Sequence, residues 1–379
     1  MDTNNYDRSM MVLALQLAAK GLYTATPNPM VGCVITQGDD IVGQGWHMRT
    51  GLAHAEIIAL AQAGDRAIDA SVYVTLEPCA HSGKTGPCVE ALLRAGVGRI
   101  VVACEDPNPQ VSGAGIAALR AAGVIVEVGL LERQALDLNC GFIKRHQFGL
   151  PWVTIKIAAS LDGRTAMASG QSQWITAPAA RRDVQRMRAE HCAIITGIGT
   201  QKMDDPSLTL RMSYADLGIA ENDVGNEVRQ PLRVVVDSQC QMSSGAKLLQ
   251  QPGDTLVATI DGVSQRQRAA ILKSAGADVI FLPARGQRVD LQSLLQNLAT
   301  RGCNRVMVEA GAGLAGGFVA EGLLDEMVCY WAPKLFGSDA RPMFNLPIET
   351  IDGHLALSVT DMRRVGEDIR LILRPEKDY

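Results

Sequence analysis

His54-Ala55-Glu56, then Pro78-Cys79 and, after eight intervening residues, Cys88: these stretches decide how the first half of the chain is read. One histidine and two cysteines make three good zinc ligands and leave a fourth position for water. Zinc draws the pKa of a bound water down to about 7, so a hydrolytic nucleophile exists at neutral pH. Glu56 stands two residues after the histidine and is not needed as a ligand. It is available as the proton carrier between that water and a leaving group. The plainer reading is a surface His–Glu pair and two unrelated buried thiols. The order and spacing of four matched residue types weigh against it.

Working outward, Met10, Leu13, Ala14 and Leu17 recur at helical spacing and predict a helix over 7–20. Thr26-Pro27-Asn28-Pro29 ends it, and a hairpin over 30–36 and 41–45 follows. A helix starting near Ala53 carries His54 and Glu56 in its first turn. A strand over 71–76 runs into Pro78-Cys79, and a helix from about Pro87 presents Cys88 at its start. Strands over 99–104 and 123–128 with a helix over 114–122 between them predict a layered α/β domain with a mixed sheet. Asn28, His47, His81 and Lys84 are candidate pocket residues, each with an ordinary turn, core or surface role as its alternative.

Length, 379 residues, predicts two or three domains. Nine irregularly spaced cysteines suggest a reducing compartment and no disulfide framework. A net charge of −4 argues against a general polyanion binder such as a nucleic-acid protein. No signal-peptide pattern and no membrane-length apolar run occur, so a cytoplasmic protein with no membrane partner is expected.

His-x-Glu followed by Pro-Cys…Cys is the arrangement of zinc nucleobase deaminases. With the stretches Ala25–Gly32, Glu77–Cys88 and Asp106-Pro107-Asn108-Pro109, the sequence resembles the bacterial bifunctional riboflavin-biosynthesis deaminase–reductases. The eight-residue gap between Cys79 and Cys88 separates it from nucleic-acid and cytidine deaminases, which usually have two residues there. The resemblance implies a cytidine-deaminase-like domain over 1–149, with His54, Cys79 and Cys88 on Zn2+ and Glu56 as proton shuttle. Gly86 stands where family members commonly have proline, a change of loop stiffness and not of a ligand.

Gly149-Leu150-Pro151 reads as a hinge into a second domain, 150–379. A buried strand over 153–158 and Ser160–Arg164 resemble the start of dihydrofolate-reductase-like folds. A helix over 178–190 bears Arg181, Arg182, Arg186 and Arg188, of which at most one is expected to be functional. Strands over 193–196, 232–236, 255–259, 279–282 and 305–309, with helices over 264–275 and 290–301, again predict α/β. Two strands over 355–361 and 369–373 close the sheet. Glu309-Ala310-Gly311-Ala312-Gly313-Leu314-Ala315-Gly316-Gly317 follows a strand and opens a helix, a backbone arrangement that suits anionic phosphates. It is neither a Walker A loop nor a complete dinucleotide fingerprint.

Carried over residue by residue, the resemblance implies NADPH contacts at Ala158, Trp174, Thr200, Asp204, Ser238 and Gly311, Ala312, Gly313, Leu314, Ala315, Gly316 and Gly317. It implies contacts with a pyrimidine ribosyl phosphate at Ser172, Arg188, Leu208, Arg211 and Glu309, with Lys156 a further polar partner of the sugar. The implied function is hydrolytic deamination of a diaminopyrimidinone ribosyl phosphate, then NADPH reduction of its ribosyl group, by a homo-oligomer. A deaminase with a silent C-terminal module is the alternative. Residues 212–231 read as an acidic loop and carry the weakest likeness.

Overall fold

A computed structural model describes residues 3–80, 86–108, 112–219 and 228–376. The chain forms two compact units that change over between Gly149 and Leu150. One amendment to a simple division at that point is needed: the described residues 214–219 group with the first unit.

The first unit is built on a five-stranded sheet, in the order Asp40–Trp46, Gly32–Gln37, Ser71–Val74, Arg99–Val102 and Ile125–Val128. The first two pairings are antiparallel and the last two parallel, so the sheet is mixed, as expected. Side chains alternate between two cores because successive strand residues point to opposite faces. Cys33, Ile35, Val72, Val74, Ile100 and Val102 face one core, beneath the helices Ala55–Ala63 and Cys88–Arg94. Val34, Tyr73 and Val101 face the other, against Met11, Ala14 and Leu17 of the helix Thr3–Ala19.

Glycine sets the height of the helix that bears the histidine. A Cβ at Gly45 would lie 2.2 Å from the Ala55 carbonyl oxygen, and one at Gly43 2.2 Å from that of Ala59. Only glycine lets the helix backbone settle onto the sheet there.

The second unit carries a nine-stranded sheet. Its order is Asp278–Leu282, Thr255–Ile260, Leu232–Val236, Ala193–Gly197, Arg305–Val308, Trp152–Ser160, Glu326–Ala332, Asp368–Pro375 and Leu357–Val365. The first seven strands are parallel and the last two close the sheet as an antiparallel hairpin. Helices cover both faces. Leu291–Thr300 and Ala312–Ala320 pack one side, Pro178–Glu190 and Val263–Ser274 the other. The strand Glu326–Ala332 has no counterpart among the sequence-derived elements. Its short apolar run carries no alternation, because both of its faces are buried. Residues 198–204, to which the sequence reading assigned no element, form the helix Ile198–Asp204, which stops at Asp205 in a left-handed conformation (φ 37°) just before Pro206.

From Ala193–Gly197 the chain winds outward through Leu232–Val236 and beyond, while Arg305–Val308 returns to fill the slot beside Trp152–Ser160. Connections that leave in opposite directions open a crevice at the carboxyl ends of these strands.

Candidate active sites

In the first unit His54 is the N-cap of Ala55–Ala63 and Cys88 is the first residue of Cys88–Arg94, so two helix starts converge. His54 Nδ1 lies 3.2 Å from Cys88 Sγ and 3.6 Å from Cys79 Sγ. The ligand atoms of all three lie within 4.8 Å of one another. Zinc bond lengths of about 2.0–2.1 Å to nitrogen and 2.3 Å to sulfur, at tetrahedral angles, put N and S about 3.5 Å apart, so the trio fits the ion. A hydrogen bond from Cys88, with a further contact to His54, draws the Cys79 thiol down toward the thiolate a ligand must be, while the same bond pushes Cys88 up, since without the ion the two share one proton. Glu56 is buried in the first turn and touches Cys88. Burial pushes its carboxyl up, the direction a proton carrier requires.

Asn28 and His47 stand beside this cluster. Nδ1 of His47 is 3.2 Å from the Ala53 carbonyl, which can only accept, so the proton sits on Nδ1. Nε2 then accepts from Asn28 Nδ2 at 3.0 Å, leaving the Asn28 carbonyl oxygen uncommitted by that pair. The His47 ring meets His54 edge-on, with centroids 5.4 Å apart. His81 and Lys84 lie outside the described residues.

Sequence reading placed Glu77 only in the motif, yet its buried carboxylate organises the neighbouring loop. Oε1 accepts from the amides of Gly115 (2.8 Å) and Ile116 (3.2 Å), and Oε2 from Gly113 (2.9 Å) and Asp106 (3.1 Å). The carboxylate thereby fills the N-terminus of the helix Ala114–Ala121. No local pattern announces this, because the four amides lie about thirty or more positions away.

In the second unit the crevice is a cavity of about 830 Å³. Its walls include Lys156, Ala158, Ser172, Arg188, Thr200, Asp204, Leu208, Ser238, Glu309, the 311–314 stretch and Gly317. Arg188 Nε and Nη2 meet the two Glu309 oxygens at 2.8 and 3.0 Å, and its Nη1 donates to the Thr209 carbonyl. Burial pushes Glu309 up, but Arg188 and Lys156 outweigh it and hold the carboxyl at about 2. Lys156 is pushed down by burial, with Glu309 opposing. Gly311 and Ala312 open the helix Ala312–Ala320, and the Gly311 amide donates to Thr200 Oγ1 at 3.2 Å. A cavity of this volume with a glycine-lined helix N-terminus fits a dinucleotide.

Four sequence-derived residues are not among the lining. Trp174 is 63% exposed, with the Arg181 guanidinium 4.5 Å from its ring centre. Arg211 is tied through its backbone amide to Gln185 Oε1. Ala315 is fully buried in the core beneath the helix. Gly316 is a packing glycine: a Cβ there would lie 2.3 Å from the Asn345 carbonyl oxygen. Sequence reading missed Gln241, Arg288, Arg341 and Asn345, which line the same cavity from segments far apart in the chain.

A hydrolytic metal cluster in one unit and a dinucleotide cavity in the other call for two separate chemistries, and the class so defined is that of fused deaminase–reductases. Residues 4–104 match the cytidine and deoxycytidylate deaminase zinc-binding region, and residues 151–371 match the RibD C-terminal domain. The riboflavin biosynthesis protein RibD of Escherichia coli is 45% identical, over 97% of this chain and 99% of its own. The structure of Acinetobacter baumannii RibD superposes with a TM-score of 0.88 at 43% identity, covering 99% of this chain and 100% of that one. A Thermotoga maritima structure, described as a diaminohydroxyphosphoribosylaminopyrimidine deaminase/5-amino-6-(5-phosphoribosylamino)uracil reductase, gives 0.84 at 28%, over 98% and 99% of the two chains. The chain belongs to the RibD family of bifunctional deaminase–reductases of riboflavin biosynthesis. Its deaminase domain binds zinc and its reductase domain uses NADPH. No helix among the described residues is long and apolar enough to cross a membrane.

Proposed function

We propose that residues 1–149 convert 2,5-diamino-6-(5-phosphoribosylamino)pyrimidin-4-one to 5-amino-6-(5-phosphoribosylamino)uracil, and that residues 150–379 reduce that product to 5-amino-6-(5-phosphoribitylamino)uracil. The reading is carried by one observation: a zinc-fitting His54–Cys79–Cys88 trio beside buried Glu56 shares a chain with a cavity floored by Lys156, Arg188 and Glu309. Zinc, when bound, supplies a water acidic enough to attack the ring carbon bearing the 2-amino group at neutral pH. Glu56 takes one proton from that water and gives it to the ring nitrogen, then carries the second, from the hydroxyl now on the carbon, to the amino group, which leaves as ammonia while the carbon becomes a carbonyl. Asn28 offers its carbonyl oxygen to the pyrimidine edge, oriented by His47.

In the second domain NADPH, when bound, supplies a hydride for C1′ of the opened ribosyl group. The chain orients the sugar through Lys156, Ser172, Leu208 and Glu309 and keeps water out. Arg188 holds Glu309 in place, since three of its nitrogens are already engaged. Thr200, Asp204, Ser238 and the 311–314 stretch hold the cofactor. The proposal extends to a cytoplasmic homo-oligomer, a dimer or larger, which sedimentation of the purified chain tests.

The assay for the main reading follows the order of steps. Purified protein given the diaminopyrimidine should release ammonia without NADPH and oxidise NADPH only afterwards. Glu56→Gln should lose ammonia release yet oxidise NADPH when given the deaminated intermediate. Loss of both activities would overturn the two-site assignment.

A further inference from the structure

We propose that Arg288 selects NADPH over NADH by pairing with the 2′-phosphate of the cofactor beside Ser238. The proposal rests on the reading of the cavity as the dinucleotide site.

The sheet order sets the direction in which a dinucleotide must lie. Four consecutive parallel strands end along the cavity: Trp152–Ser160, Arg305–Val308, Ala193–Gly197 and Leu232–Val236. Lys156 lies on the first, and Glu309 follows the second. Gly311 and the start of Ala312–Ala320 come next after Glu309 and suit a pyrophosphate. Thr200, beyond the third strand, accepts from the Gly311 amide. With the reacting end at Lys156 and Glu309, the adenosine half has only the direction of the fourth strand left. Neighbouring strands are about 4.8 Å apart, so three steps carry it about 14 Å, to Ser238 and Gln239.

Arg288 is fixed at that end of the cavity. The amide of the next residue, Val289, donates to Ser238 Oγ at 3.0 Å, which ties the short strand Arg288–Val289 to the loop after Leu232–Val236. Arg288, Val289, Ser238, Gln239 and Gln241 all line the cavity. Ser238 Oγ accepts from Val289, so its own hydroxyl proton remains free to donate to a phosphate oxygen.

Charge and position together single out this arginine. A phosphate monoester carries roughly −1.5 to −2 at neutral pH and is recognised best by charge-assisted hydrogen bonds. Four cationic residues line the cavity: Lys156, Arg188, Arg288 and Arg341. Lys156 and Arg188 face Glu309. Arg341 stands against Gly170, where an added Cβ would lie 3.2 Å from its Nη2, and its strand pairs with Arg164–Ala166. Neither Arg288 nor Arg341 makes an ion pair or side-chain hydrogen bond among the described residues, and of the two only Arg288 stands beside Ser238, at the adenosine end. On the same hairpin the carboxylate of Glu321 is taken by Arg285, at 3.3 Å. An unpaired, exposed guanidinium at the predicted position of the 2′-phosphate gains a partner with NADPH and loses nothing with NADH.

The test is a binding measurement on the full chain, by calorimetry, with NADPH, NADH and 2′,5′-ADP titrated into the wild type, Arg288→Gln and Arg288→Lys. The expected result is that Arg288→Gln weakens NADPH and 2′,5′-ADP by about ten- to a hundredfold, the range of one or two charge-assisted bonds, while the NADH dissociation constant stays put. Arg288→Lys should recover part of the loss. Equal weakening of NADH and NADPH would make Arg288 a structural residue and overturn the proposal, as would NADPH affinity unchanged in Arg288→Gln. A wild type that binds neither dinucleotide would overturn the reading of the cavity, and this proposal with it.

Discussion

Glu309 and Arg188 meet through two parallel hydrogen bonds, 2.8 and 3.0 Å long, across 121 positions of sequence, at the floor of the reductase cavity. The strand Arg305–Val308 delivers the acid and the helix Pro178–Glu190 the base. Both side chains are only 12% exposed, so each relies mainly on the other for its hydrogen bonds.

Removing Arg188 takes away the direct hydrogen-bonded partner of Glu309 and leaves Lys156 as its remaining cation. Arg188→Met should therefore cost about 1–3 kcal/mol of stability in urea denaturation monitored on the second unit. Glu309, held at about 2, also makes stability acid-sensitive. Its folded pKa lies below the unfolded value of about 4.3, so its contribution is complete above that pH and fades as pH falls toward 2. Glu309→Gln should flatten the stability profile in that window, read as the thermal midpoint against pH.

Metal retention and proton transfer should separate. Cys88→Ser should lose zinc by elemental analysis, and ammonia release with it, because a thiolate ligand is gone. Glu56→Gln keeps every ligand and should retain stoichiometric zinc while ammonia release falls about 10²–10⁴-fold.

Glu77→Gln tests the loop before the helix Ala114–Ala121. The amide side chain has one acceptor in place of two and sets an NH2 against backbone donors. Two of the four backbone N–H groups lose their acceptor, at about 1–3 kcal/mol each. Hydrogen exchange at whichever of Gly113 and Gly115 loses its oxygen should quicken markedly, and unchanged protection at both would refute the assignment.

His191 predicts a second pH dependence. Burial drives it down to about 4, with its bond to the Met187 carbonyl and the charge of Glu309 pulling the other way. The unfolded chain takes up a proton near pH 6.5 and the folded chain does not, so stability present above 6.5 is lost as pH falls toward 4. His191→Asn should reduce that slope in the thermal midpoint.

Much of the first site was legible because its chemistry is local. His54 and Glu56 share one helical turn, Cys79 and Cys88 are separated by only eight residues in sequence, and residue types that bind zinc are few. The glycine-rich stretch 311–317 was legible for the same reason, although its seven residues divide by helix geometry into those that face the cavity and those, Ala315 and Gly316, that face the core and Asn345. A helix turns about 100° per residue, so no contiguous run can present every member to one ligand.

Trp174 and Arg211 carried the right chemistry for stacking and phosphate, and nothing in residue type reveals that they stand outside the cavity lining. Glu77, Arg288 and Arg341 were invisible for the opposite reason. The amides that Glu77 holds and the segments that share the cavity with the two arginines lie far off in sequence, and a carboxylate or guanidinium reads the same on a solvated surface. The zinc ligands, the proton carrier and the α/β alternation are thus fixed by short-range spacing. The order of strands, and with it the line from Lys156 to Ser238 and Arg288, is decided only when the apolar faces of distant strands bury one another, because burial rewards contact without regard to separation along the chain.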